Sequence, residues 1–154
     1  MPQRSAGLLL FRLHGKMPEL FLVHPGGPFW ARKDDGAWSI PKGLYGVDED
    51  PLAAARREFT EETGFTAQGD CLDLGEFKQP SGKIVRVFAL AGDADPAAMT
   101  SNSFALEWPP KSGRMQDFPE ADRAGWFTPE AARRKLVKGQ VAIVDALVAR
   151  LQGK

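Results

Sequence analysis

Apolar residues in this chain come first in short runs and later at helical spacing, and the change of period outlines the fold. Ala6 to Leu13 is a nearly unbroken apolar stretch of strand length. After a Gly15-Lys16 turn, a second run from Glu19 to His24 is predicted to pair with it as a hairpin. Gly26-Gly27-Pro28 and the charged segment Arg32 to Gly36 read as loop, and Trp38 to Ile40 re-enters the core ahead of Pro41-Lys42-Gly43. The period then becomes helical. Asp50 can cap a helix, Pro51 suits its first position, Leu52 to Thr63 holds no breaker, and Gly64 can end it, so a helix is predicted over Pro51 to Thr63. Strands are expected at Leu72 to Lys78, Lys83 to Ala91, Phe104 to Trp108 and Ala124 to Phe127. Thr128-Pro129-Glu130 opens a second helix that stops by Gly139, and Val141, Val144, Leu147, Val148 and Leu151 form the stripe of a third. Strands interleaved with helices imply an α/β protein whose mixed sheet is covered on both faces.

On the first helix, Leu52, Ala55, Phe59 and Thr63 gather into an apolar stripe, while Glu58, Glu61 and Glu62 form an acidic one beside it. Ala54 lies one turn before Glu58, where a small side chain would leave room for a bound group. Residues three and four apart are neighbours on a helix, so three carboxylates repel one another there unless a cation intervenes. A hard divalent ion such as Mg²⁺ prefers carboxylate oxygens and recruits phosphates. Taken alone, the stripe favours a solvated acidic face balanced by Arg56, Arg57 and nearby lysines, since Glu-rich helix surfaces are ordinary.

The longer pattern decides between these readings. Gly43, Glu49, Arg57-Glu58-Phe59, Glu61-Glu62 and Gly64-Phe65 stand at the spacings of the Nudix signature, and chance agreement at seven fixed positions has a probability of roughly 10⁻⁷. The chain therefore resembles the Nudix (MutT-like) hydrolases, with Phe59 and Phe65 at positions more often aliphatic. The resemblance implies a Nudix-type α/β/α sandwich and cleavage of a nucleoside diphosphate linked to another moiety. It also implies Mg²⁺ or Mn²⁺ held by Glu58, Glu61 and Glu62, with a main-chain carbonyl at Lys42 or Gly43 assisting. Arg57 and Glu49 correspond to the ion pair that orients the preceding loop against the helix.

Outside this box, Glu120 lies six residues before Trp126, as a glutamate does in the dinucleoside tetraphosphate hydrolases of the family. By that resemblance Glu120 is a further metal ligand or the base that activates water, a role for which it competes with Glu58; an exposed loop glutamate is the alternative. The approach Trp38-Ser39-Ile40-Pro41-Lys42-Gly43 is similar to the Trp-x-x-Pro-Lys-Gly of the same branch and marks Lys42 as a phosphate contact. Dinucleoside polyphosphates are thus the leading substrate class, ahead of nucleoside triphosphates, nucleotide sugars and a catalytically silent nucleotide-binding domain.

Composition narrows the partners. The 154 residues, 43% hydrophobic, suit a single domain over 1–154. With 20 basic and 20 acidic side chains there is no overall field favouring nucleic acid, so no double-stranded nucleic acid partner is expected and phosphate recognition must be local. Lys111 and Arg114, in a Pro- and Gly-rich loop, are candidate phosphate cations; Lys83 and Arg86 are three apart on one strand and cannot both face a site. Trp108 and Phe118 flank that loop and are the aromatic candidates for the base, whereas Trp30, Trp38 and Trp126 read as packing residues. His14 and His24 read as surface or strand-end histidines, His24 also as a weak phosphate candidate. One cysteine, Cys71, leaves no intrachain disulfide, and no apolar run reaches the ~20 residues of a membrane span; a soluble cytoplasmic protein is expected.

Overall fold

In the computed structural model, which describes residues 3–153, strand β1 (Arg4–His14) occupies the middle of the sheet. It turns at Gly15, whose φ of 65° suits glycine, into the antiparallel β2 (Met17–Pro25). On its other side β1 runs parallel to β5 (Ile84–Ala91), which pairs antiparallel with β4 (Leu72–Lys78). The far edge is β8 (Ala121–Phe127), antiparallel to β2. The sheet order is β4-β5-β1-β2-β8, mixed as expected.

The pairing of β1 with β2 covers only the hairpin end, Phe11↔Leu20 to His14↔Met17. Beyond it the strands part, and residues 39 to 44 fill the wedge. Ser39 bridges Val23 of β2, the Leu8 N–H donates to the Pro41 carbonyl, and the short β3 (Lys42–Leu44) pairs with Ser5 to Gly7 of β1. Gly7 permits this approach, since a Cβ there would meet the Ile40 side chain at 2.6 Å. No sequence signal marked β3, because its ladder comes from the gap it fills.

Alternation along β1 and β5 divides the core into two layers. Leu9, Phe11, Val85, Val87 and Ala89 face α2 (Pro129–Lys135) and α3 (Val141–Leu151), packing on Ala132, Leu136, Ile143, Val144 and Leu147. Leu8, Leu10, Phe88 and Leu90 face α1 (Pro51–Thr63), packing on Ala54, Ala55 and Phe59. This is the expected α/β/α sandwich. Ala54 departs from expectation: it is fully buried in the core rather than beside a binding surface, because α1 is rolled so that both alanines face the sheet.

A hairpin of β6 (Ser103–Glu107) and β7 (Met115–Pro119) stands off the main sheet. Strand β7 went unread because MQDFP has neither alternation nor β-branched residues; its partner imposes it. Among the described residues no helix is long and apolar enough to cross a membrane.

Candidate active site

Helix α1 starts and stops where the sequence placed it. The Asp50 carboxylate accepts the Ala53 N–H at 2.9 Å, and Gly64, at φ 80°, donates its N–H to Thr60. Burial of Phe59 and Thr63 turns the glutamate stripe toward the 42–44 segment. Glu62 Oε2 accepts the Lys42 N–H at 2.9 Å, and a Cβ on Gly43 would collide with the Glu58 carboxylate, so only glycine lets the backbone pass so close. The wedge in the sheet thus brings the Gly43 main chain against the helix carboxylates.

Arg57 organises the other flank. Its Nε and Nη2 donate to the two Glu49 oxygens at 3.0 and 3.2 Å, and its Nη1 donates to Glu58 Oε2 at 2.6 Å while lying 3.4 Å from Glu61. The planar guanidinium ties the loop to the helix. Surrounded by carboxylates, its pKa is raised.

The carboxylates themselves are short of compensating charge. Burial pushes Glu62 up to about 8, with Glu120 and Glu58 adding repulsion against the lowering effect of the Lys42 N–H and charge. Glu58 is raised, first by burial and against the pull of Arg57. Glu120 is raised by burial and then by Glu61. Lys42 is lowered by burial, with Glu62 and Glu58 opposing. Repulsion therefore links Glu120 to the box glutamates although some 60 residues separate them.

That placement has a visible cause. The Thr100 and Asn102 N–H groups donate to the Thr63 and Glu61 carbonyls at 2.9 Å, capping the end of α1. Asn102 O in turn accepts the Glu120 N–H at 2.7 Å, and Glu120 O accepts the Gly26 N–H at 2.9 Å. Gly26 can bear no side chain, since a Cβ would collide with the Pro119 carbonyl. Glu120 is thereby sutured between the acidic helix and the end of β2.

Lys42, Glu62 and Glu120 line one cavity of about 340 Å³. Its remaining wall is mostly apolar, from Val23, Pro25, Trp30, Ala37 and Val137, with Ser39, Gln79 and Gln140 as polar members. Glu58, Glu61, Glu49 and Arg57 lie alongside on the helix and its preceding loop. Trp108, Lys111, Arg114 and Phe118 are not among the lining residues. Trp108 packs edge-on against Phe29 at 5.4 Å, Phe118 lies 6.1 Å from Phe104, and the backbone N–H of Lys111 donates to Glu107. Trp30 packs against the core, as read from the sequence, and also lines the cavity.

His24 stands at the end of β2, as one of the two readings had it, but is fully buried rather than at the surface, packed against Trp38, with Nδ1 2.8 Å from Asp122 and Nε2 2.6 Å from the Lys33 carbonyl. Both ring nitrogens are committed, which leaves none for phosphate. Arg86 is likewise taken, by Asp73.

The donor chemistry suits a hard divalent cation: all-oxygen side chains, desolvated and mutually repelling, beside a glycine backbone. Among the described residues no three acidic, His or Cys side chains already stand in cation-binding geometry, consistent with Arg57 occupying Glu58 and approaching Glu61.

Fold and site together define an α/β/α protein whose carboxylate-bearing helix stands beside a largely apolar pocket. A family model for the NUDIX domain matches residues 1–147, and the chain belongs to that family. A MutT-like protein of Streptomyces ambofaciens is 33% identical over 117 residues, 75% of this chain and 64% of the relative, so the chain spans less than two thirds of that protein. The NUDIX domain of Shewanella oneidensis NrtR, solved with ADP ribose, superimposes with a TM-score of 0.66 at 14% identity, covering 98% of this chain and 89% of that one. A C. elegans Ap4A hydrolase binary complex superimposes with a TM-score of 0.64 at 21% identity over 99% of both chains. At such identities the likeness is one of fold.

Proposed function

We propose that this protein is a divalent-metal-dependent pyrophosphohydrolase that cleaves a nucleoside diphosphate linked to another moiety, with a dinucleoside polyphosphate as its leading substrate class. The observation that carries the reading is the meeting of Glu62, Glu120 and Lys42 in the lining of one cavity, backed by Glu58 and Glu61 on the helix that carries Glu62. Family membership supports the activity, and the Trp38-x-x-Pro41-Lys42-Gly43 approach supports the substrate class.

Glu58, Glu61 and Glu62, with the Gly43 carbonyl and Glu120 beside them, would hold Mg²⁺ or Mn²⁺. When bound, such an ion supplies charge stabilisation at phosphorus and acidifies water. The protein's own part is positional. Lys42, half-buried in the cavity lining, offsets phosphate charge, and the Arg57–Glu49 pair holds the preceding loop against the helix. Glu120 pairs with no cation among the described residues, whereas Glu58 already accepts from Arg57. Glu120 is therefore the better group to take a proton from water, and its raised pKa moves it toward the range where a base is effective. Substitution at phosphorus asks for alignment and charge more than for a covalent intermediate, which fits a site without an activated nucleophile.

A panel of dinucleoside polyphosphates, nucleoside triphosphates and nucleotide sugars, incubated with Mg²⁺ and read by product mass, tests this. Cleavage of dinucleoside polyphosphates at an anhydride bond, abolished by EDTA, is expected. Exclusive turnover of triphosphates or nucleotide sugars would replace the substrate class, and undiminished turnover in EDTA would overturn the mechanism.

A further inference from the structure

One part of the cavity wall has a hydrogen-bonding polarity that the residues themselves dictate. Gln140 is fully buried at the start of α3; its Oε1 accepts the Ile40 N–H at 3.0 Å and its Nε2 donates to Ser39 Oγ at 2.9 Å. Ser39 Oγ in turn donates its only hydrogen to the Ile40 carbonyl at 2.7 Å. A hydroxyl has one hydrogen and two lone pairs. With the hydrogen and one lone pair engaged, Ser39 retains a single lone pair, so it can only accept. Both residues line the cavity; Gln140 is fully buried, whereas Ser39 is half-buried and is the more accessible of the two.

Around this acceptor the wall is apolar and partly aromatic: Trp30, Pro25, Val23, Ala37 and Val137. Such a lining rejects phosphate and ribose but suits the faces of a planar ring. The remaining polar members are the charged Lys42, Glu62 and Glu120, together with Gln79. We infer that the cavity holds the base of the nucleotide, with Ser39 Oγ accepting from an exocyclic amino group, so that the pocket selects amino-bearing bases such as adenine. This rests on the reading of the site as a nucleotide pocket.

The physical ground for selection is the buried network. An acceptor covered by a ligand that lacks the donor loses its partner, and sites of this kind discriminate well against the deleted analogue. Ser39 could not rotate to offer its hydrogen without breaking its bond to the Ile40 carbonyl.

The test is equilibrium binding of adenosine 5′-monophosphate against purine riboside 5′-monophosphate, which differ only by the amino group. Neither contains an anhydride bond, so no turnover intrudes. Titration in Mg²⁺ by calorimetry should show about five- to tenfold tighter binding of the adenosine compound to the wild-type protein, the gap of one neutral hydrogen bond. Ser39→Ala should bring the two within about twofold, and Ser39→Thr, which keeps the hydroxyl, should restore the gap. Trp30→Ala should weaken both ligands alike. Equal binding of the two by the wild type, a gap that survives Ser39→Ala, or indifference to Trp30→Ala would each overturn the inference. Hydrolysis fails or succeeds separately: turnover without amino selectivity would remove this inference and leave the proposed activity, and selective binding without any hydrolysis would do the reverse.

Discussion

Glu62 is the residue on which the energetics of the site turn. Its half-buried carboxylate, close to two other acids, has a pKa of about 8 against an ordinary 4.5. In the metal-free protein the native state therefore holds more protons than the unfolded chain between those values. Stability contributed by the protonated group is complete below about pH 4.5 and is lost as pH rises through about 8. Thermal melts in EDTA should accordingly show a Tm that falls across this window, and Glu62→Gln, which stays neutral, should flatten the fall. Glu61→Gln and Glu62→Gln should each slow turnover in Mg²⁺ by on the order of 10² to 10⁴. Full rates in both would remove the metal-ligand roles. Glu120→Gln keeps shape and backbone bonds and removes only charge, so kcat should drop steeply with Tm nearly unchanged. A rate–pH profile that loses its rise in Glu120→Gln but not in Glu58→Gln assigns the base to Glu120.

At the scale of elements, the site is a junction of three segments that do not meet in sequence. Helix α1 supplies carboxylates because its opposite side is anchored by Ala54, Ala55 and Phe59. The 39–44 segment supplies Lys42 and Gly43 because β1 and β2 part and leave backbone groups to satisfy. The 100–102 strap ties Glu120 to the end of α1. Gly26 is the tightest point of this junction, and Gly26→Ala would force the Pro119 carbonyl aside and stretch the bond to the Glu120 carbonyl. The expected outcome is a loss of about 1–3 kcal/mol in denaturant unfolding together with a lower kcat, since overpacking shifts backbone. Wild-type values of both would show that Glu120 is held by other means.

Over the whole molecule, metal binding and folding should be linked. If Mg²⁺ binds only the folded arrangement, it should raise Tm, and by more at pH 8 than at pH 6, because ligation requires ionised carboxylates. Calorimetric scans at the two pH values read this directly; a pH-independent shift would place the ion elsewhere. Much of this architecture was legible in the sequence. Helix α1 is specified locally, by Asp50, Pro51, the glutamate spacing and Gly64, and its bounds agree with the structure to the residue; β4 does likewise, and the α/β/α layers follow from alternating apolar runs. The sequence by itself also determined the family, because the carboxylates, the Arg57–Glu49 pair and Gly43 belong to one contiguous pattern. Strands β3 and β7, the burial of Ala54 and His24, and the cavity lined by Trp30, Ser39 and Gln140 were decided only by tertiary structure. Each depends on segments up to 101 residues apart, as in the Gln140–Ser39 bond. Local propensity cannot report which backbone a neighbouring strand leaves unpaired, nor which side chains converge on one void, since those are properties of the packed whole.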